Sequence, residues 1–183
     1  MKRIIFLLIL FSSFFTYSQW TFRTDNDPFD GQELIAIGRG YGGDFPYQNP
    51  RIVFRQNLKE KELDVYIDGA GYSGCDSNNI DFSFGNAEEV LSFYGNKSVN
   101  RDAVFLNFSI KDNSFLKLNT LIKNLKSKSI VYVEVSNRCM RNRFNIRLSG
   151  SNAALNKVIG NFMDEGVKEL EEIEREVERR IKE

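Results

Sequence analysis

The stretch Leu63-Asp64-Val65-Tyr66-Ile67-Asp68 alternates without a break, with Leu63, Val65 and Ile67 on one side and Asp64, Tyr66 and Asp68 on the other. Successive side chains of a strand point to opposite faces, so this is the pattern of an antiparallel strand with one buried and one wet face. The same period of two recurs in Ile80 to Phe84, through Ile80, Phe82 and Phe84, and in Arg51 to Arg55, where Ile52 and Phe54 oppose Val53. Glu33 to Ile37, Val90 to Tyr94, Ala103 to Ile110 and Ile130 to Val135 read as further strands, and Phe144, Ile146 and Leu148 mark the last before Gly150. Turn residues punctuate them: Asp68-Gly69, Gly71 to Gly74, Ser77-Asn78-Asn79, Gly85-Asn86 and Gly95-Asn96. Short strands at such regular spacing predict a sandwich or a barrel-like sheet.

Two segments change period. Phe115, Leu118, Leu121, Ile122 and Leu125 recur at three and four residues, which predicts a helix over Asn113 to Lys126 with Asp112 or Asn113 as its cap. From Ser151 onward Leu155, Val158, Ile159, Phe162, Met163, Val167, Leu170, Ile173, Val177 and Ile181 form a second stripe, with Ser151 or Asn152 as the cap. Its first half suits packing on a sheet. Its second half, crowded by Glu169, Glu171, Glu172, Glu174, Arg175, Glu176, Arg179 and Arg180, reads either as a solvated extension or as a short self-association seam. The expected architecture is therefore α+β: an antiparallel β-sandwich-like sheet, one short internal helix and a long C-terminal helix. The expected divisions are 1–18, 19–153 (mostly β) and 154–183 (amphipathic, charged helix).

The N-terminus carries the three parts of an export signal. Lys2 and Arg3 supply charge, Ile4 to Phe15 an apolar run broken only by Ser12 and Ser13, and Thr16-Tyr17-Ser18 places small residues at the two positions a signal peptidase reads before a cleavage point at Gln19. That apolar run is 12 residues, against the roughly 20 of a membrane-spanning helix, so a cleaved signal peptide is expected in place of a retained anchor. No Cys follows the cleavage point to take a lipid. A short, Phe-rich signal ending in Ser-Gln suggests a Gram-negative bacterium of the Bacteroidetes, with the mature chain periplasmic or secreted. Without Lys2 and Arg3 the charges number 23 positive and 25 negative, a net of −2. This is not the basic footprint of a nucleic-acid binder. Cys75 and Cys139 are an even pair, which in an exported protein points to a disulfide. Two separate buried thiols are the alternative.

The chain has no histidine. That removes Ser-His-Asp and Cys-His nucleophile pairs and the usual His-containing zinc and non-haem iron sites. A hydrolase here would have to use paired carboxylates, a Lys base or Tyr. Gly38-x-Gly40-x-x-Gly43 matches a dinucleotide fingerprint in letters only, because Asp44-Phe45-Pro46-Tyr47-Gln48-Asn49-Pro50 cannot supply the helix N-terminus that holds a pyrophosphate. No cofactor is expected. The same glycine-rich segment offers Arg39, Tyr41, Phe45 and Tyr47 as candidate binding residues, the Arg and aromatic types that anchor a protein partner or stack on a sugar. The alternative is that these aromatics pack locally. Asp25-Asn26-Asp27-Pro28-Phe29-Asp30-Gly31 is acidic enough to suggest calcium, but Phe29 stands where a fifth-position ligand belongs, and an Asp/Pro turn explains it as well. Lys117, Lys123, Lys126, Lys128, Arg138, Arg141 and Arg143 bias one region positive, toward an anionic surface or simply a solvated face. Asn96-Lys97-Ser98 and Asn107-Phe108-Ser109 are formal glycosylation sequons.

Trp20, Asp27-Pro28-Phe29-Asp30-Gly31, Asn49-Pro50-Arg51-Ile52-Val53-Phe54-Arg55, Leu63 to Ile67, the run from Phe115 to Val135, and Arg143 to Gly150 before a helix occur in an order that resembles the TagO-like periplasmic proteins associated with type VI secretion. The same order is similar to that of the invasion-associated locus B proteins. The resemblance implies a small exported β domain of the envelope. Those families carry a Cys in the strand matching Arg51 to Arg55 and another near the C-terminus, both missing here, so their disulfide placement does not transfer. The expected function is a non-enzymatic binding or assembly accessory of the bacterial envelope, with a protein or glycan partner and homo-oligomerisation open through 165–183. A periplasmic inhibitor or immunity-type protein and a carboxylate-based carbohydrate-active hydrolase are the alternatives.

Overall fold

The computed structural model describes residues 18–29, 31–43, 49–85 and 89–182. The leader up to residue 17, and Phe45 and Tyr47 of the candidate loop, lie outside them. Ser18, the last residue assigned to the leader, is described, and its hydroxyl lies 3.2 Å from the Ser149 carbonyl.

Nine strands form one antiparallel sheet: β1 (Trp20–Asp27), β2 (Gly31–Tyr41), β3 (Arg51–Asn57), β4 (Glu62–Asp68), β5 (Asn78–Ser83), β6 (Val90–Lys97), β7 (Ala103–Leu106), β8 (Ile130–Ser136) and β9 (Arg141–Arg147). Their order is β1-β2-β3-β4-β7-β6-β5-β8-β9. The sheet then closes on itself, because Gly40 and Tyr41 at the end of β2 pair Ile146 and Asn145 of β9. The expected sandwich of two facing sheets is therefore corrected to a closed eight-stranded antiparallel barrel with β1 as an extra strand, and the class from α+β to mostly β. Closure is possible because β2 is 11 residues long: Gly31 to Gly38 pair with β1, and beyond Arg39 its last two residues, Gly40 and Tyr41, pair with β9.

Glycine makes that junction. The sequence reading ends the strand at Ile37, but Gly38 and Gly40 continue it. A Cβ on Gly38 would lie 2.6 Å from the Trp20 indole, and one on Gly40 2.7 Å from the Phe144 ring. Two bulky core rings thus pass over β2 only where side chains are missing, and the glycines serve close approach in place of a loop. Trp20 is tied further by its indole N–H, which donates to the Arg147 carbonyl at 3.1 Å.

Inward residues of all strands fill one core: Trp20, Ala36, Ile52 and Phe54, Val65 and Ile67, Ile80 and Phe82, Phe93, Leu106, Val131 to Val135 in alternation, Phe144 and Ile146. An eight-stranded barrel is narrow enough for its own side chains to occupy it. One mouth is closed by two helices, α1 (Asn113–Ser127) between β7 and β8 and α2 (Ser151–Lys182) after β9. The Asp112 carboxylate accepts from the Ser114 N–H at 2.7 Å, the expected cap. Phe115, Leu118, Leu121 and Leu125 join Leu155, Val158, Ile159 and Met163 in the same core. The Ser151 hydroxyl turns inward, 2.6 Å from the carbonyls of Leu125 and Leu148, and so pins the start of α2 to the end of α1.

The other mouth is crossed by the β4–β5 loop, and the Cys75–Cys139 disulfide joins that loop to the β8–β9 turn. Around it Asn137 Nδ2 donates to the Tyr72 carbonyl and to Asn78 Oδ1, both at 3.0 Å. Asn78 donates to the Ser73 carbonyl and Asn142 to the Ala70 carbonyl. No helix among the described residues is long and apolar enough to cross a membrane.

Candidate binding face on the outside of the barrel

With the interior filled, the strands can offer functional side chains only on their outward phase. The registers of β6, β5, β8, β9 and β2 set these side chains in three rows. Val90, Ser83, Tyr132, Asn145 and Tyr41 form the first. Ser92, Asp81, Glu134 and Arg143 form the second, and Tyr94, Asn79, Ser136 and Arg141 the third. Large apolar groups stand out from this face: Tyr94 is 77% exposed, Tyr132 and Val90 46% each. Between them Asp81, Ser83, Val90, Tyr132, Glu134, Arg141 and Arg143 line a shallow recess of about 290 Å³.

The recess has a charged floor. Asp81 and Glu134 are directly opposite on neighbouring strands, an arrangement that like charges disfavour. Arg141 and Arg143, two residues apart on β9, offset it by donating from their Nε atoms to the two oxygens of Glu134. Burial works to raise the pKa of Glu134, but the two arginine hydrogen bonds and their charges outweigh it and hold the carboxyl below its usual range. Both oxygens of Glu134 are thus engaged by arginine donors.

Of the candidate residues, Arg39 and Tyr41 lie on β2 itself. Arg39 is exposed, and the Tyr41 ring lies beneath the Arg147 guanidinium at 5.1 Å, a cation–π contact that ties β2 to the β9 side of the face. The positive residues of 117–143 do not form one patch. Lys117, Lys123 and Lys128 are exposed on or just after α1, Arg138 sits in the β8–β9 turn, and Arg141 and Arg143 face outward on β9. At the acidic hairpin the Asp27 carboxylate accepts from the Phe29 N–H and Lys59 Nζ donates to the Phe29 carbonyl at 2.9 Å. No group of three or more metal-binding side chains occurs among the described residues. Tyr132, Glu134, Asp81, Tyr94, Val90 and Arg147 are site residues that the sequence reading passes over. Their signal is the outward phase of their strands, but only the register shows that they share one face.

No family model, curated protein or solved structure matches this chain.

Proposed function

We propose that the protein is an exported, non-enzymatic binding or assembly accessory of the bacterial envelope that engages a protein partner through the outer face of β6, β5, β8 and β9. The observation that carries this reading is the cluster of Tyr94, Tyr132 and Val90 around an arginine–carboxylate recess. Exposed tyrosines beside arginines are the composition of interface hot spots, where few rotamers are lost for a large contact area. Export is supported by the order of Lys2-Arg3, Ile4 to Phe15 and Thr16-Tyr17-Ser18 and by a disulfide, a bond that persists in oxidising compartments. The block order that resembles the TagO-like proteins agrees with an envelope role.

The test is capture from the native periplasm with three baits: the wild-type protein, a Tyr94→Ala/Tyr132→Ala variant, and a Leu116→Ala control. Leu116 is as exposed, at 44%, but lies on α1. A partner held by wild type and control and lost by the double variant supports the reading. A partner retained by the double variant overturns it. Mass analysis of the exported protein should give a chain beginning at Gln19.

A further inference from the structure

Helix α2 changes its surroundings near Val167, the last of its residues packed against the core. Just before it, Gly166 lies so close to α1 that a Cβ there would stand 2.4 Å from the Phe115 ring. Leu170 and Ile173 follow in the same stripe, half-buried and outside the core. The helix continues to Lys182, a projection of about 22 Å at 1.5 Å per residue.

The charges along this projection are segregated. Residues 164–174 hold Asp164, Glu165, Glu169, Glu171, Glu172 and Glu174 against Lys168, a net of −5. Residues 175–182 hold Arg175, Arg179, Arg180 and Lys182 against Glu176 and Glu178, a net of +2. Both signs border one shallow groove beside Ile173, lined by Glu169, Glu172, Arg175, Glu176 and Arg179. A second copy running parallel would set acidic half on acidic half. Running antiparallel, with the twofold axis near Ile173, it sets each acidic half on the other's basic half. Glu169 and Glu172 of each copy then face Arg179 and Arg175 of the other. Such an isologous contact closes after two copies.

We propose that the C-terminal half of α2 is a self-pairing element that joins two copies of this chain antiparallel, with Leu170 and Ile173 as its apolar seam and the segregated charges setting its direction. A seam this short has few turns to offset association, so the dimer is weak and reversible. Because the barrel core ends at Val167, the pairing leaves each barrel and its outer face unchanged.

Sedimentation equilibrium of the exported protein tests this. The expected result is a monomer–dimer equilibrium in the micromolar range that weakens at about 1 M salt, where charges are screened beyond ~3 Å. Ile173→Glu should raise the dissociation constant tenfold or more with the barrel's unfolding midpoint unchanged. The Glu169→Arg/Glu172→Arg and Arg175→Glu/Arg179→Glu variants should each be monomeric alone and should pair when mixed. Fluorescent labels on Lys168→Cys and Arg180→Cys chains should transfer energy more efficiently than two labels at 168, which antiparallel pairing separates by about 18 Å. A monomer at every concentration, a dimer that survives Ile173→Glu, homodimers of either charge variant, or closer approach of the two 168 labels would each overturn the proposal.

Discussion

The two mouths of the barrel are closed by opposite means. At one, α1 and α2 bring Phe115, Leu118, Leu155 and Ile159 into the interior, each fully buried, and among the described residues the one buried polar side chain there, Ser151, serves as a pin. At the other, the β4–β5 loop lies over the opening through Ser73, Asn78, Asn137 and Asn142 hydrogen bonds and one disulfide, with little apolar area beyond Ala70 and Met140. Removal of apolar groups from water stabilises the first mouth in the folded state. The second depends on directional bonds and on a cross-link that acts mainly by restricting the unfolded chain. A small barrel can therefore leave one end to packing and fasten the other covalently.

That contrast is open to attack, and the largest effects are expected at the cross-link and the core. The paired Cys75→Ser and Cys139→Ser change removes a closure spanning 64 residues, for which chain entropy gives about 4 kcal/mol. Urea unfolding should show that loss, and amides that exchange through global unfolding should speed up by the same free energy, while those that exchange by local opening, α1 and α2 included, stay close to wild type because the constraint acts on the unfolded chain. Phe115→Ala should cost ~3–5 kcal/mol as a cavity in the helical mouth, and here exchange should accelerate in α1 and α2 together. If the two variants show the same exchange pattern, the mouths are not distinct. Asn137→Ala comes next, at about 1–3 kcal/mol, because it leaves Asn78, the Tyr72 carbonyl and the Cys139 N–H without their partner.

Two glycines of α2 sharpen the picture further. Gly160 has open space where a Cβ would go, whereas Gly166 meets Phe115. Gly160→Ala should raise stability by ~0.5–1 kcal/mol through helix propensity alone, and Gly166→Ala should lower the thermal midpoint despite the same propensity gain. The smallest effect is electrostatic. The depressed pKa of Glu134 means that its contribution to stability is complete above the unfolded carboxylate value and is lost as pH falls through the folded one. Glu134→Gln should therefore flatten the acid limb of a urea-midpoint profile without changing its alkaline side.

What the sequence made legible follows from period and composition. Alternation in Leu63 to Asp68 and Ile80 to Phe84 placed inward and outward side chains correctly, and the three- and four-residue spacing of Phe115 to Leu125 located α1. Closure was not legible, because a period of two states which face a residue takes and says nothing about which strand lies beside it. Strand β1 escaped notice for a related reason: of Trp20–Asp27 only Trp20 is buried, so no apolar alternation marks it. Gly38 and Gly40 carried the signature of a loop, although their role is to let Trp20 and Phe144 cross β2. The candidate face shows the same limit. Arg141 and Arg143 were visible as positive charges, but their joint hold on Glu134 and its opposition to Asp81 depend on register.

The barrel closure is most directly tested by interstrand proton contacts between the end of β2 and the end of β9 in an NMR spectrum of the folded protein. Pairing of Gly40 with Ile146 and of Tyr41 with Asn145 requires backbone cross-peaks between these residues, since paired strands lie about 4.8 Å apart. Their absence, with β2 and β9 in separate sheets about 10 Å apart, would contradict the closed barrel and separate Tyr41 from the face proposed here.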